Sequence, residues 1–582
     1  MKNKLYFNQF MFYLFGVLSI LSIYLMSKFG YLGGRVYQIG IALFILFVII
    51  ATSFFTKVRN LKEAFYLIDS WPDAYSQNFN LKRIHEFYNK YGANALKEND
   101  IFNIDDQTAH DLNLDEVLMN ISICSSYPGE QMLYHILRTP KNNVKSIRER
   151  NKIVEELMSN IKLRSTMQQI FSQLGRDPKS NIFNLFNTNA TINLTKLIII
   201  NILSILGLAL VISYFFIDAS LVPVFFFLFI IYVFISQRTS ALLENELSSL
   251  QYLGRFVNAI KSLTKIEDEV INEYIHEIRK LYKPISKIST KTKFIAPSNE
   301  LYIFTETINI FLLTKIRSYY SIISLIKNNR ENLVMLYGLI GKLEAYISIA
   351  SYRTRISNYC IPEFTDESKT LIIENANHPL IDDSIPNSIS LKGKGVILTG
   401  SNMSGKSTFM RTVALNILLS QSICISHSDK YIGSIFNIMS SLSLKDDVLS
   451  GTSYYLEECT SILRILEAID NSDFPIFCII DEIFKGTNPI ERIAASIEIL
   501  NYIMDRNAIS LIATHDLELA EKCTDKYLRY FFCEDIDKDN GLTFDYKLKK
   551  GICNTGNALK LLDYLGYPKE IITNARNNIT KI

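Results

Sequence analysis

Four uncharged apolar runs interrupt an otherwise mixed chain, at 10–27, 36–56, 197–217 and 219–237. As a helix, each is long enough to cross roughly 30 Å of hydrocarbon. They fall in two pairs with short connectors, 28–35 and the vicinity of Asp218. Each pair therefore predicts a helical hairpin that enters and leaves a bilayer. Lys2 and Lys4 precede the first run, and Lys57, Arg59 and Lys62 follow the second. Lys196 precedes the third and Arg238 follows the fourth. Lys28 and Arg35 in the first connector weaken this bias, but the balance puts the long hydrophilic stretches on the cytoplasmic side. A cleaved signal peptide fits the first run poorly, because a second apolar run follows it and no A-x-A-like site does. For the third and fourth runs, burial as core helices is the competing reading.

Between the hairpins and again over 238–360 the pattern is helical. At 257–286 the apolar positions Val257, Ile260, Leu263, Ile266, Val270, Tyr274, Ile278 and Leu281 recur every three or four residues. That spacing predicts one long helix with a single apolar stripe used for core contact. From about 361 short β-branched runs appear at 370–373, 396–399, 476–480 and 509–513. They alternate with helical stretches, as in a parallel α/β sheet. The expected organisation is a membrane hairpin at 1–56, a helical core at 57–193, a second hairpin at 194–237, a helical lever at 238–360 and an α/β domain at 361–582.

Composition narrows the class. The 582 residues are 48% hydrophobic and 20% charged, which excludes a disordered chain. A formal charge of +3 gives no global signature of a nucleic-acid coat protein. Eight cysteines without a CxxC pair give neither a disulfide framework nor a zinc site, so they read as reduced, packed thiols.

The chemistry is concentrated in Gly400-Ser401-Asn402-Met403-Ser404-Gly405-Lys406-Ser407, which fits G-x-x-x-x-G-K-[ST] after one predicted strand and before a helix. Glycines let backbone N–H groups turn inward around phosphates, and the helix that follows points its positive end at them. Lys406 is expected to reach the β and γ oxygens, and Ser407, followed by Thr408, to coordinate Mg²⁺. Further on, Phe477-Cys-Ile-Ile-Asp481-Glu482 is an apolar strand that delivers two carboxylates at its carboxyl end, where sites in such sheets form. Asp481 would hold the metal shell, and Glu482 would orient or deprotonate the attacking water. A further strand ends in Thr514-His515-Asp516, and His515 there can contact the γ-phosphate or the water.

Taken together these segments resemble the MutS family of DNA mismatch-repair ATPases. The loop is similar to that family's G-P-N-M-G-G-K-S-T, with Ser401 and Ser404 replacing Pro and one Gly. Asp481-Glu-Ile-Phe-Lys-Gly486-Thr487 resembles D-E-I-G-R-G-T, and Ala513-Thr-His515 resembles A-T-H. Asp446, Gly451, Ser453 and Glu458 match the loop D-x-x-x-x-G-x-S-T-F-x-x-E. The resemblance implies that Ser453 reaches across a dimer to the partner's nucleotide. Asn377-His378-Pro379-Leu380 is similar to the R-H-P segment before the loop, and Ile385, followed by Pro386 and Asn387, sits where a contact to the nucleotide base is expected. Segments 127–150 and 551–576 resemble the start of the helical core and the closing helical segment.

The resemblance implies an ATPase using ATP and Mg²⁺ at composite homodimer sites, coupled to mismatched or branched DNA. The family's amino-terminal mismatch-reading domain, with its Phe-x-Glu wedge, has no counterpart in this sequence. Phe304-Thr-Glu306 and Phe532-Cys-Glu534 spell that tripeptide by chance. A basic run of Arg279, Lys280, Lys283, Lys287, Lys291 and Lys293 could face DNA phosphate, anionic lipid or solvent. Two functions stand at this point. One is a multi-pass, membrane-anchored MutS-like ATPase of the cytoplasmic membrane with a repair-type role. The other is a membrane-embedded ATP-driven machine or signalling scaffold that no longer binds DNA.

Overall fold

A computed structural model describes residues 2–29, 34–73, 79–91, 100–187, 194–213, 227, 230–235, 237–238, 244–292, 312–401, 404–442, 454–537, 541–552, 562 and 566–579. The chain divides into two compact units. The first is Met1–Tyr75, Ile123–Met132 and Glu156–Ser351; the second is Ser76–Ser122, Leu133–Glu155 and Tyr352–Ile582.

The described residues of the first unit are helical. Helix Lys2–Phe29 has 28 residues and helix Gly34–Asp69 has 36. At 1.5 Å per residue these are about 42 and 54 Å long, more than a bilayer's hydrocarbon core. The two run antiparallel, with the Phe12 ring against Phe55 at 5.4 Å and the Phe15 ring against Phe54 at 6.0 Å. Their outward faces are apolar: Phe10, Tyr13 and Ile20 are 63%, 67% and 69% exposed. Ser19 and Ser22 return their hydroxyls to carbonyls of their own helix, Gly16 at 2.7 Å and Ser19 at 2.6 Å, so they add no unpaired polar group to the hairpin. Beyond Thr56 the second helix turns polar and docks on helix Ile161–Leu174. There Gln169 Nε2 donates to the Asn60 carbonyl at 2.8 Å, and Ser172 Oγ donates to the Glu63 carboxylate. The Arg164 guanidinium lies over the Trp71 ring at 4.0 Å.

Helix Arg330–Arg355 is also long and apolar enough to cross a membrane, but 78% of its most apolar stretch is buried in protein. The corresponding shares in the first hairpin are 11% and 6%. Leu333, Leu336, Ile340 and Leu343 are fully buried, so this helix forms protein core. The third apolar run forms helix Leu194–Ser213. Its Ile198, Ile202 and Ile205 are exposed, while Ile200 packs on Leu313 and Ile316. Arg317 donates to Ser204 Oγ at 3.0 Å. Most of the fourth run lies outside the described residues, although the Tyr232 hydroxyl donates to the Leu203 carbonyl at 2.7 Å.

The single long helix expected at 257–286 is instead two, Glu244–Leu263 and Asn272–Tyr282. Asp268 breaks it, because its carboxylate accepts from the Val270 and Ile271 backbone N–H groups at 3.0 and 3.3 Å, offering the chain a turn in place of helix. Val270, in the expected stripe, is exposed as a result.

In the second unit the strands are β1 (Glu363–Phe364), β2 (Thr370–Ala376), β3 (Asn387–Lys392), β4 (Gly395–Thr399), β5 (Lys430–Gly433), β6 (Asn437–Ser441), β7 (Ile476–Asp481), β8 (Ala508–Ala513), β9 (Tyr527–Phe531), β10 (Glu534–Asp537), β11 (Gly541–Phe544) and β12 (Lys549–Lys550). A six-stranded sheet has the order β12-β9-β4-β8-β7-β6, parallel except for β12 at its edge. Every residue of β4 and β8 is buried, which fits a parallel sheet covered on both faces. The run at 370–373 does not join it. As part of β2 it pairs antiparallel with β3 and β5 in a separate four-stranded sheet. Apolar, β-branched content predicts a strand there but carries no information about its partner.

One buried acid marks the first unit's core. Glu344 accepts from the backbone N–H groups of Ser125 at 2.6 Å and Ser126 at 3.1 Å, and from the Ser126 hydroxyl. Burial pushes its carboxyl from the ordinary 4.5 up to about 7, against those hydrogen bonds and Arg176. The folded chain thus keeps a proton that the unfolded chain releases above 4.5. The stability this group contributes is full below pH 4.5 and lost as pH rises to about 7. Glu344→Gln should flatten this decline, as read by denaturant unfolding of the detergent-solubilised chain between pH 5 and 8.

Candidate functional site

The site lies at the carboxyl edge of the six-stranded sheet. Hydrogen bonds beyond the strand ends fix the edge in order. Thr514 N donates to Leu398 O at 2.9 Å, Glu482 N to Ala513 O at 2.9 Å, and Phe532 N to Thr399 O at 3.0 Å. The chain leaves β4 through Gly400 and enters helix Lys406–Ile423 through Gly405. Both glycines are left-handed, with φ of +143° and +104°. A Cβ on Gly400 would lie 2.4 Å from the Phe532 carbonyl oxygen, so only glycine fits there. Asn402 and Met403 lie outside the described residues.

Lys406 is buried, and its ammonium donates to the carbonyls of Gly400 and Ser401, both at 2.8 Å. The Ser404 hydroxyl closes the loop on Ser401 O at 2.8 Å. Ser407 Oγ donates to Asp481 Oδ2 at 2.5 Å, which joins the helix start to the end of β7. A divalent cation fits this pair: a hydroxyl and a carboxylate oxygen already in contact are a hard oxygen donor set.

Glu482 sits between an imidazole and an ammonium group. His515 Nε2 is 3.2 Å from one carboxylate oxygen and Lys485 Nζ is 3.1 Å from the other. Burial, with Lys406 and Lys485 adding to it, holds the His515 imidazole below its ordinary 6.5. Behind His515, Arg492 grips Asp516 with two hydrogen bonds of 2.9 and 2.8 Å. Phe484 has φ +61° at the position where the motif quoted above carries glycine, and Glu482 has φ +60°.

These groups face a cavity of about 450 Å³ lined by Ser401, Gly405, Lys406, Ser407, Thr408, Asp481, Glu482 and Lys485. His378, Ile385, Asn387, Phe532 and Tyr546 line it too. Burial and the nearby Arg411 push the His378 imidazole down to about 4, so it is neutral at physiological pH. Tyr546 rests 3.1 Å from the Cβ position of Gly405 and stacks on Phe544 at 5.5 Å. Asn387 locks its segment by donating to Tyr546 O at 2.9 Å and accepting from Leu548 N at 2.8 Å.

Of the residues expected from sequence, the cavity lining includes Ile385, Ser401, Gly405, Lys406, Ser407, Thr408, Asp481 and Glu482. Gly400 and Ser404 complete the loop, and His515 stands beside Glu482. Ser453 lies outside the described residues. Tyr546 and Lys485 were not anticipated. Lys485 falls inside a quoted motif without an assigned role, and Tyr546 has no local pattern to mark it. Phe532 belongs to a tripeptide dismissed as chance. It acts as no wedge, since it is buried with its ring against Phe409 at 5.7 Å.

Sheet, loop and paired acids define a parallel α/β domain of the P-loop type. Residues 396–582 match the family model described as MutS domain V. Through this domain, the C-terminal part of the chain belongs to the MutS family. It is 25% identical to the DNA mismatch repair protein MutS of Thermus aquaticus over 53% of this chain and 38% of that protein. It is 30% identical to MutS of Fusobacterium nucleatum over 44% of this chain and 29% of that protein. It is 27% identical to the DNA mismatch repair protein MSH3 of Vanderwaltozyma polyspora over 46% and 27%. The matches thus span about a third of the length of these curated relatives.

Histidine-selective NMR should show His515 titrating below 6.5, and Lys485→Ala should move its midpoint upward by removing one nearby positive charge. An unmoved midpoint would show that Lys485 does not reach His515.

Proposed function

We propose that this chain is a membrane-anchored, Mg²⁺-dependent ATPase of the MutS type that works as a homodimer in or on the cytoplasmic membrane, with the ATPase domain in the cytoplasm. The observation that carries it is the Lys406, Ser407 and Asp481 arrangement under the first turn of helix Lys406–Ile423, beside Glu482. When bound, Mg²⁺ would neutralise charge on the phosphates. Ser407 and Asp481 would hold that ion. Lys406 exchanges its two loop carbonyls for phosphate oxygens, aided by loop N–H groups and the positive end of the helix. Glu482 orients and deprotonates water, and neutral His515 steadies its carboxylate. Ile385 and Tyr546 form the end of the cavity suited to an apolar base. Ser453 from the partner protomer completes the site.

The first hairpin anchors the chain. Its exposed apolar faces and lengths support a span, and the continuation of helix Gly34–Asp69 into the helical unit makes it a rigid connection. The second apolar pair is the further anchor; its helix Leu194–Ser213 packs on one side against the helix that begins at Thr314.

Mismatched or branched DNA is the proposed partner, in line with the names of the relatives. A second reading, an ATP-driven membrane machine without DNA, is favoured by the basic run. Arg279 donates to Thr264 O and Ile266 O, and Lys291 donates to the Ser321 hydroxyl, so both are already committed within the protein. Lys280, Lys283 and Lys287 remain exposed, and Lys293 lies outside the described residues.

Glu482→Gln should bind Mg–ATP with parental affinity and lose about a hundredfold or more in turnover; a parental rate would remove Glu482 from the mechanism. Ser453→Ala should lower both turnover and ATP-dependent pairing, read by light scattering of the detergent-solubilised chain. On the DNA reading, affinity for branched duplex should fall steeply as salt is raised; no binding at low salt would establish the second reading.

A further inference from the structure

The turn that carries the proposed base is held in a costly shape. Glu482 and Phe484 are both left-handed, with φ of +60° and +61°, and neither is glycine. A backbone of this kind persists where its surroundings fix it. Two contacts fix it here, both from the start of helix Tyr454–Asn471. The Glu458 carboxylate, 4% exposed, accepts from Lys485 N at 3.0 Å and from Gly486 N at 3.2 Å. Tyr455 packs edge-on against the Phe484 ring at 5.8 Å, and a Cβ on Gly486 would come within 3.2 Å of the Tyr455 Cβ. Lys485 in turn reaches Glu482 at 3.1 Å. The chain of contacts is continuous: carboxylate to backbone N–H, backbone to ammonium, ammonium to the carboxylate that meets water.

We propose that Glu458 is a positioning residue for hydrolysis: by holding the N–H groups of Lys485 and Gly486 it keeps the left-handed turn at 482–484 in place, and so aims Glu482 and Lys485 into the cavity. This rests on the ATPase reading above. It adds a residue that is not part of the lining of the cavity of about 450 Å³. Two N–H donors converge on two carboxylate oxygens, so glutamine in this position turns one acceptor into a donor and opposes an N–H. Since part of the strain comes from the side chain at 484, glycine there should weaken the need for the clamp.

The test uses the full chain in lipid nanodiscs, with steady-state turnover and Mg–ATP affinity measured for the parent, Glu458→Gln, Phe484→Gly and the double variant. Thermal melting serves as the folding control. Glu458→Gln should lower kcat about tenfold with KM for ATP within twofold of the parent. Adding Phe484→Gly should bring kcat back to within about threefold of the Phe484→Gly single variant. A parental kcat for Glu458→Gln overturns the proposal. So does a loss carried by KM, which would make Glu458 part of nucleotide seating, and so does a tenfold loss that persists with glycine at 484. A parent chain that binds Mg–ATP and never turns it over overturns the ATPase reading, and with it the role of Glu458. Turnover by the parent with failure of the variants to behave as stated sinks the Glu458 assignment alone.

Discussion

Backbone hydrogen bonds that continue past the strand ends are the constraint on which this site depends. Leu398, Thr399 and Ala513 each accept from the first residue or so of the loop on a neighbouring strand. The glycine loop, the paired acids, His515 and Phe532 therefore emerge in one row. A parallel sheet with both faces buried permits little slippage, because a one-residue shift would turn every side chain to the opposite face. The contact between Ser407 and Asp481, far apart in sequence, follows from that register and needs no long side chain to bridge it.

Around this row the second unit invests buried polar groups in fixing neighbouring segments. Asp111 accepts from the Ser440 hydroxyl at 2.7 Å and from Leu442 N at 2.9 Å, and so pins the end of β6. Arg464 donates to Ser440 O and pairs with Asp105 on the same corner. Glu458 does the corresponding work at the turn after β7. Each is a charged group with at least one backbone partner, which fixes position more strictly than two mobile side chains would. The first unit follows a different rule. Its hairpin turns apolar side chains outward and satisfies the Ser19 and Ser22 hydroxyls within the helix. Its core helix Arg330–Arg355 is less apolar than the hairpin and is surrounded by protein.

A good part of the site was legible in the sequence. The G-x-x-x-x-G-K-S spacing, a run of apolar residues ending in Asp481-Glu482, and a strand ending before His515 are local patterns, and local patterns survive without knowledge of the fold. The same holds for the strands at 396–399, 476–480 and 509–513, whose continuous apolar character marks burial on both faces. Other features were hidden for definable reasons. Lys485 earned no role because its meaning lies in its distance from Glu482. Phe484 stands where the motif has glycine, and only its positive φ shows that it is a point of strain.

The sequence by itself determined where chemistry is concentrated, which runs are apolar enough for a bilayer, and which segments alternate as strand and helix. Each of these is a property of residues within a few turns of one another. Tertiary structure decided that 370–376 pairs in a second sheet, that Asp268 ends a helix, that Arg330–Arg355 is wrapped in protein, and that Tyr546 closes over Gly405. An apolar run has the same composition whether lipid or protein covers it. A strand has the same propensity beside any partner, and an aromatic ring from the far end of the domain leaves no trace near the loop it covers. Those outcomes depend on what lies opposite in space, which only the folded chain supplies.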